Sequence, residues 1–272
     1  MDLTIGQLRS KLNELTVSVV NGLHGRSIYL QNLNIFEPKL QSRLHNSGLH
    51  AFGNGDSNVS WFDSRMKREE ATDCEDGRFL FPGVYPFNGA PSKTHPNSTS
   101  QIYRVIPNVG LMHVAPPVDI GRRIVDMYKS AVIGLCKPGE QPEEYGRLAK
   151  LDVTICQDIH ERVTYFGQLV AKIKSEDNPS ILKLNAGDLR VALRDSEREK
   201  NVVAYAIDCA KRYDSLRVQP IEEMFRALIE MTVDVEVGYV LACAEVRKPV
   251  TRSYAFGSGG IVADQKSHAG WR

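Results

Sequence analysis

The segment PIEEMFRALIEMTVDVEVGYVLACAEV, residues 220–246, decides the fold class of this chain. It begins with Pro220, a residue that helices favour in their first turn. Apolar side chains then recur at intervals of three and four residues, which is the spacing of the buried side of a helix. The segment therefore predicts a long amphipathic helix with Phe225, Ile229 and Val240 on its inward side.

Two polar residues interrupt that apolar side. Thr232 and Glu236 lie four positions apart, and at about 100° per residue they fall on the line that joins Ile229 to Val240. A carboxylate on a buried side needs a charged partner or a proton, because desolvation disfavours its ionised form. The pair therefore indicates either a structural ion pair or the wall of a polar pocket.

Helical periodicity also dominates most of the remaining chain, whereas the alternation typical of strands is scarce. Further helices are predicted at residues 4–32, 59–70, 116–135, 146–174 and 195–213. Residues 44–103 are rich in Gly, Asn, Ser and Pro, which predicts loops around the second of these helices. We expect an all-α, multi-helix bundle, with one domain over residues 1–250, a loop-rich insertion at about 71–105 and a mobile C-terminal tail at 251–272.

Composition and charge argue against several classes of function. The net charge of +1 over 272 residues gives no reason to expect nucleic acid or an anionic membrane as a partner. The five cysteines include no CxxC pair, which argues against a disulfide scaffold and a thiolate metal site. No stretch approaches the roughly 18 apolar residues that a membrane helix needs. We expect a cytoplasmic protein, with secretion as the alternative if a leader peptide has been removed.

Motifs for metal, nucleotide or nucleophilic chemistry do not occur in the sequence. It contains no HExxH, no P-loop, no GxGxxG after a predicted strand and no nucleophile elbow. These absences suit a function that needs no cofactor and no metal ion.

Charged residues fall on the inward side of other predicted helices as well. Asp195 and Glu199 lie four positions apart in the helix that begins at 195. Arg9 falls on the apolar side of the first helix, and Lys174 lies beside that of the helix that begins at 146. Each alone has an ordinary explanation, since charge runs are commonly solvated and long side chains can reach water. Together, four such helices predict a polar pocket in the centre of the bundle, suited to a small polar dianion.

Four segments, in this order along the chain, resemble the all-helical chorismate mutases, and specifically the larger enzymes of fungal and plant type. They are LRSKLNELTVSVVNGLHGRS at 8–27, AKLDVTICQDIHERVTYFGQLVAKIK at 149–174, RDSEREKNVV at 194–203 and MTVDVEVGYVL at 231–241. The resemblance spans most of residues 3–246, and it is strongest in the first helix and after about residue 145. No single segment is specific, but four in the right order and spacing are.

The resemblance implies a reaction and a set of site residues. The reaction is the pericyclic rearrangement of chorismate to prephenate in the biosynthesis of Phe and Tyr, promoted by positioning and electrostatic stabilisation. The implied catalytic residues are Arg9, Arg162, Lys174, Glu199 and Glu236, and the implied substrate-binding residues are Asp195 and Thr232.

The resemblance also implies a role for each of these residues. Two arginines hold the substrate carboxylates, and Lys174 with a protonated Glu236 stabilises the charge that develops on the ether oxygen. Asp195 and Glu199 bind the ring hydroxyl and nearby polar atoms, and Thr232 orients Glu236. Because Lys174 and burial act in opposite directions, the sequence does not fix the direction in which the pKa of Glu236 shifts.

Members of the family are typically homodimers, with an aromatic amino acid effector site in part around a glycine that matches Gly146. Arg147 follows that glycine, where members that bind effectors often have a small residue. The resemblance therefore implies a homodimer, and Arg147 argues against regulation by Tyr or Trp.

One spacing departs from the pattern of the family. There the second arginine precedes the lysine by eleven positions, whereas here Val163 holds that position and Arg162 comes one residue earlier. In a regular helix Arg162 would point about 120° away from Lys174. A one-residue π-bulge within the VTYFG that starts at Val163 would restore the phase, and such bulges often mark functional sites. Otherwise Arg194 or Arg198 would complete the pocket.

Two alternative functions follow from these observations. A catalytically impaired relative would keep the helical fold and act as an interaction or effector protein, and the displaced Arg162 favours it. An isochorismate pyruvate lyase would use a similar dianion pocket, although those lyases resemble short bacterial chains rather than this long one.

Overall fold

Eight α-helices, joined by short 3-10 helices and loops, form the part of the protein that the structure describes. The computed structural model describes residues 5–38, 59–80, 84–87, 111, 114 and 119–246. The helices are α1 Ile5–Ser27, α2 Trp61–Glu75, α3 Ile120–Leu135, α4 Tyr145–Val163, α5 Tyr165–Asp177, α6 Ala186–Leu193, α7 Ser196–Ala210 and α8 Val218–Val246. The 3-10 helices are Leu33–Phe36, Arg78–Leu80, Pro142–Glu144 and Pro179–Lys183.

Strand pairing in these ranges is limited to one isolated bridge. It joins Leu30 to Lys137, and no strand forms over the described residues. The predicted all-α fold class is therefore confirmed. None of the described helices is both long and apolar enough to cross a membrane.

Helix α8 is the element around which the others pack. It contacts α3, α4, α5, α6 and α7, and α1 packs on α4 and α7. The N-terminal half of α8 buries Phe225 and Leu228 in a large apolar cluster with α1, α3, α4 and α7. Its C-terminal half buries Tyr239 and Val240 in a second cluster with α5 and α6. Thr232 and Glu236 lie between the two halves, so the polar stretch of α8 falls where the two apolar clusters meet.

The predicted helix at 146–174 is wrong in one respect, because the chain forms two helices there. Thr164 separates α4 from α5, and its dihedral angles are φ −86° and ψ −67°. Its backbone N–H and its Oγ1 both donate to the carbonyl oxygen of His160, at 2.8 Å and 2.7 Å. The interruption lies within the VTYFG segment, where a one-residue π-bulge was one of the alternatives for bringing Arg162 to the side of Lys174.

The prediction also lacked a helix that the structure contains. Helix α6 begins after Asn185, whose Oδ1 accepts from the backbone N–H groups of Gly187 and Asp188 at 2.9 Å and 3.0 Å. Such side-chain caps satisfy donors at the start of a helix. Asp195 has the same position before α7, which begins at Ser196 and not at Asp195 as predicted.

The first residues of the loop-rich insertion predicted at about 71–105 are helical. Helix α2 continues to Glu75, and a 3-10 helix follows at Arg78–Leu80. Most of the rest of that range lies outside the described residues, and so does the tail predicted at 251–272.

A buried ion pair ties α1 to α4. The Nε of Arg26 lies 2.8 Å from Oδ1 of Asp152, and both side chains are 0% exposed. The hydroxyl of Tyr128 on α3 donates to the same oxygen at 2.6 Å. Close packing of α1 on α4 also requires Gly22, since a Cβ there would lie 2.6 Å from Cγ1 of Ile155. At this end of the bundle, removal of Arg26 or Asp152 would leave a buried charge unpaired. A larger side chain at Gly22 would clash with Ile155.

Candidate active site

A pocket opens where α1, α4, α5, α7 and α8 meet, between the two apolar clusters. It encloses about 600 Å³ of space free of protein atoms, part of it open to solvent. Six of the seven predicted site residues line it, and these are Arg162, Lys174, Asp195, Glu199, Thr232 and Glu236. Much of the remaining wall is apolar and consists of Leu12, Phe166, Val170, Leu193, Val202, Leu228, Ile229 and Val233. The structure thus brings together polar groups that lie far apart in the sequence.

The interruption at Thr164 allows Arg162 to share the pocket with Lys174. The side chain of Arg162 is buried, and its Nη1 donates to the backbone oxygen of Leu12 at 2.9 Å. Its Nε is buried with no hydrogen-bond partner. Burial and the nearby charge of Arg198 lower its pKa to about 10, so the guanidinium stays charged at neutral pH. Arg162 is thus fixed to the backbone of α1 while it lines the pocket.

Lys174 and Glu236 form the polar centre of the pocket. The Nζ of Lys174 lies 2.8 Å from Oε2 of Glu236 and also donates to the backbone oxygen of Leu193. The carboxyl group of Glu236 is 6% exposed. Burial raises its pKa, while Lys174 and Arg198 act in the opposite direction and Glu199 adds to the rise. The structure therefore supplies the direction that the sequence could not, because the net effect is a raised pKa of Glu236.

Asp195 and Glu199 lie at the start of α7. Oδ1 of Asp195 accepts from the backbone N–H of Arg198 at 3.1 Å and so caps the helix. Glu199, one turn later, has Oε1 at 3.6 Å from Nε of Arg194. Both residues line the pocket, and their carboxylates are only partly satisfied by neighbours, which suits binding of hydroxyl groups.

Thr232 lines the pocket without contacting Glu236 through its hydroxyl. Its Oγ1 donates to the backbone oxygen of Leu228 at 2.9 Å, within α8. The expected role of Thr232 in orienting Glu236 is therefore not seen, because the hydroxyl proton is used within its own helix. Lys174 is the group that holds Glu236.

Arg9 lies outside the pocket, in an adjoining cavity at its outer side. It is exposed on α1 and lines this outer cavity with Asn13, Glu197, Asn201 and Tyr205. The two cavities share Leu12, Asp195, Arg198 and Val202 as common wall. Arg9 is thus the one predicted site residue that the structure does not place in the pocket itself.

Two other arginines were alternatives for the second arginine of the pocket, and they differ in position. Arg198 lines the pocket, three residues after the capping Asp195 and next to Glu199. Positions three apart share a face of a helix, so Arg198 lies on the same side of α7 as Asp195. Arg194 does not line the pocket and instead forms an ion pair with Glu230.

A chain of ion pairs fixes the segment that carries Leu193 and Asp195. Arg190 on α6 contacts both Asp234 and Glu230 of α8, the latter at 3.1 Å between Nη2 and Oε2. Arg123 on α3 reaches the other oxygen of Asp234 at 2.7 Å. These pairs are half-exposed, so each contributes little alone, but together they hold the end of α6 against α8.

Among the described residues, no group of three or more His, Cys, Asp and Glu side chains lies close enough together to hold an ion. The pocket combines cationic side chains, a buried carboxyl group at Glu236, more exposed carboxyl groups at Asp195 and Glu199, and an apolar wall.

Two solved structures share this arrangement of helices. The chloroplast chorismate mutase of maize, Zea mays, matches with a TM-score of 0.68 at 21% sequence identity, over 89% of this chain and 96% of that one. The Aro7p chorismate mutase of Candida albicans, in complex with L-Trp, matches with a TM-score of 0.70 at 19% identity, over 91% of this chain and 94% of that one. This chain has the fold of the eukaryotic chorismate mutases. No protein-family model and no curated protein matches its sequence, so the likeness is one of fold.

Proposed function

We propose that the protein is a chorismate mutase, which rearranges chorismate to prephenate. The observation that supports this most is the pair of Lys174 with the buried Glu236, which lines one pocket with Arg162 in a fold shared with two such enzymes. The reaction breaks a carbon–oxygen ether bond and forms a carbon–carbon bond within one molecule. It therefore needs no nucleophile, and the protein can act by holding the substrate folded and stabilising charge.

The cations of the pocket would bind the substrate, which carries two carboxylates. Arg162 lines the pocket, is held by the backbone of α1 and would bind one carboxylate. An arginine at the outer side of the pocket, where Arg9 and Arg198 lie, would hold the other. Two fixed ends keep the flexible arm of the substrate over its ring, and this removes most of the entropic cost of reaching the reactive shape.

Lys174 and Glu236 would act on the ether oxygen, where negative charge grows as the bond breaks. Lys174 supplies a positive charge, and a protonated Glu236 supplies a hydrogen bond from the other side of the oxygen. The raised pKa of Glu236 is consistent with that role. Asp195 and Glu199 would accept hydrogen bonds from the ring hydroxyl, and Thr232 would shape the wall.

A direct assay tests this function. The purified chain is incubated with chorismate, the loss of chorismate is followed by its ultraviolet absorbance, and the product is identified by NMR. Prephenate without pyruvate supports a mutase, and release of pyruvate would indicate a lyase instead. Lys174→Met should lower kcat by about 100- to 1,000-fold, as is typical when one donor to a developing negative charge is lost.

Lys172→Met is the matched control for that variant. Lys172 lies on the same helix and pairs with Glu176 at the surface, so its replacement removes the same charge away from the pocket. Equal activity of Lys174→Met and Lys172→Met would contradict the proposed mechanism.

One observation favours the second candidate function, an inactive relative that acts through binding. Arg9 lies exposed in the outer cavity, so the pocket lacks one of the residues expected in it. A well-folded chain that shows no turnover of chorismate would establish this alternative.

The likeness to the two chorismate mutases also bears on oligomeric state and on regulation by an aromatic amino acid. We propose a homodimer in the cytoplasm that supplies prephenate for Phe and Tyr synthesis, and light scattering would test the dimer. The Candida enzyme was solved in complex with L-Trp. In this chain Arg147 lies over the ring of Tyr29 at 5.5 Å, beside the exposed Gly146. We expect this bulky cation to prevent an aromatic effector from binding there, so activity should not change when Trp or Tyr is added.

A further inference from the structure

Three guanidinium groups from three helices follow one another from the outer cavity into the pocket. Arg9 on α1 lines the outer cavity, Arg162 on α4 lines the pocket, and Arg198 on α7 lines both. Burial and the charge of Arg9 lower the pKa of Arg198. Burial and the charge of Arg198 in turn lower that of Arg162. The central member of this row, Arg198, is therefore close enough to both neighbours to be repelled by each.

The charge of Arg198 has no direct partner among the residues that the structure describes. Its backbone N–H bonds to Asp195, but its half-buried guanidinium forms no hydrogen bond and no ion pair with them. Asp195 and Glu236 favour its charged form only from a longer distance. By contrast, two nearby arginines are both paired with Glu230. These are Arg190 in α6 and Arg194, which directly follows that helix. An unpaired cation between two others is unfavourable in the empty site, and a bound anion would relieve that repulsion.

We infer that Arg198 binds a substrate carboxylate directly inside the pocket, and that Arg9 assists from the outer cavity. This inference rests on the proposed function for the identity of the substrate. It differs from the resemblance, which assigns the carboxylates to Arg9 and Arg162 alone. The row of three guanidinium groups makes the site one for a dicarboxylate, with one carboxylate deep beside Arg162 and the other at the boundary of the two cavities.

Arg198→Met tests the inference, with Lys200→Met as the matched control. Lys200 is exposed two positions further along α7 and does not line either cavity, so its replacement removes one positive charge from the same helix. Loss of a charge-assisted contact to a carboxylate should lower kcat/KM by about 100-fold for Arg198→Met, and Lys200→Met should stay within about threefold of wild type.

Thermal unfolding separates a binding role from a structural one. Because Arg198 has no partner to lose and is repelled by two cations, Arg198→Met should melt at the same or a higher temperature than wild type. Arg198→Gln, which keeps a polar side chain at this half-exposed position, should show the same loss of kcat/KM. Failure of both variants to fold would show that Arg198 is structural and would overturn the inference.

Failure of the inference about Arg198 can be distinguished from failure of the proposed function. If wild type converts chorismate and Arg198→Met keeps its kcat/KM, the inference is wrong and the proposed function stands. If wild type does not convert chorismate, the proposed function fails, and calorimetric titration with chorismate decides the inference. Binding to wild type that is lost in Arg198→Met supports it, whereas equal binding, or no binding to wild type, overturns it.

Discussion

Replacing Glu236 by Gln should make the reaction nearly independent of pH. The carboxyl group is buried, and the charged groups that act on it are Lys174 from α5 and Arg198 and Glu199 from α7. Burial is the largest of these influences and raises the pKa. Below that pKa the acid can donate a hydrogen bond to the ether oxygen, and above it the carboxylate would repel the developing charge.

The size of the effect follows from titration of one group. If the protonated form of Glu236 is the active one, kcat should fall by up to about tenfold per pH unit above its pKa. Glu236→Gln donates a hydrogen bond at every pH, so its profile should be flat, with a rate within about tenfold of the wild-type maximum. Glu236→Ala has no donor and should lose about 100- to 1,000-fold at acidic pH.

The stability of Glu236→Gln is a second readout. A raised pKa of Glu236 and a structural ion pair with Lys174 predict opposite changes in that stability. A carboxyl group whose pKa is raised in the folded state contributes stability that is present below its unfolded pKa and is lost as the pH rises through the folded pKa. Glu236→Gln removes this loss, so it should be at least as stable as wild type at pH 8. A structural pair with Lys174 predicts instead a cost of about 3–5 kcal/mol when one partner is removed.

The two readouts are measured together. Initial rates with chorismate are recorded between about pH 5 and pH 9, and urea unfolding is followed by circular dichroism at both ends of that range. An unchanged pH profile in Glu236→Gln, together with a loss of stability, would refute a catalytic proton on Glu236. It would leave the residue as a structural partner of Lys174.

Further variants probe the other parts of the structure. Arg9→Met should lower kcat/KM by about 10- to 100-fold with an unchanged melting temperature, because the side chain is exposed; preserved activity with lower stability would make Arg9 structural. Deletion of Thr164 should keep activity within about tenfold, since a spacing of eleven in a continuous helix also brings Arg162 to the side of Lys174; insertion of Ala after Thr164 should abolish turnover in the same assay. Arg26→Met leaves a buried carboxylate unpaired and should cost about 3–5 kcal/mol in urea unfolding, whereas the exposed Arg226→Met should cost almost nothing.

The spacing of apolar residues was sufficient to predict most of the helices, because this spacing shows which side of each helix is buried. The last helix was predicted to begin at Pro220, and the structure has it as α8, Val218–Val246. The same reasoning placed Glu236 on an apolar side, and it is indeed buried. A carboxylate at such a position is unusual enough to be informative without any coordinates. The order of the segments was then sufficient to indicate the fold.

Local backbone geometry was decided only by the tertiary structure. Periodicity assumes a regular helix, so it could place Arg162 only about 120° from Lys174. In the structure the helix is interrupted at Thr164 and both residues line one pocket, and nothing in the spacing of apolar residues reports the interruption. Helix α6 was missed because it has only eight residues, too short for a periodic signal, although Asn185 provides its cap.

The contents of the pocket likewise depend on packing between elements distant in sequence. A helical pattern shows that Arg198 and Glu236 each lie near a buried side, but not that the two face one cavity. The sequence also could not predict the direction of the pKa shift of Glu236. Desolvation and the attraction of Lys174 oppose each other, and their balance depends on distances and burial that exist only once α5, α7 and α8 have packed together.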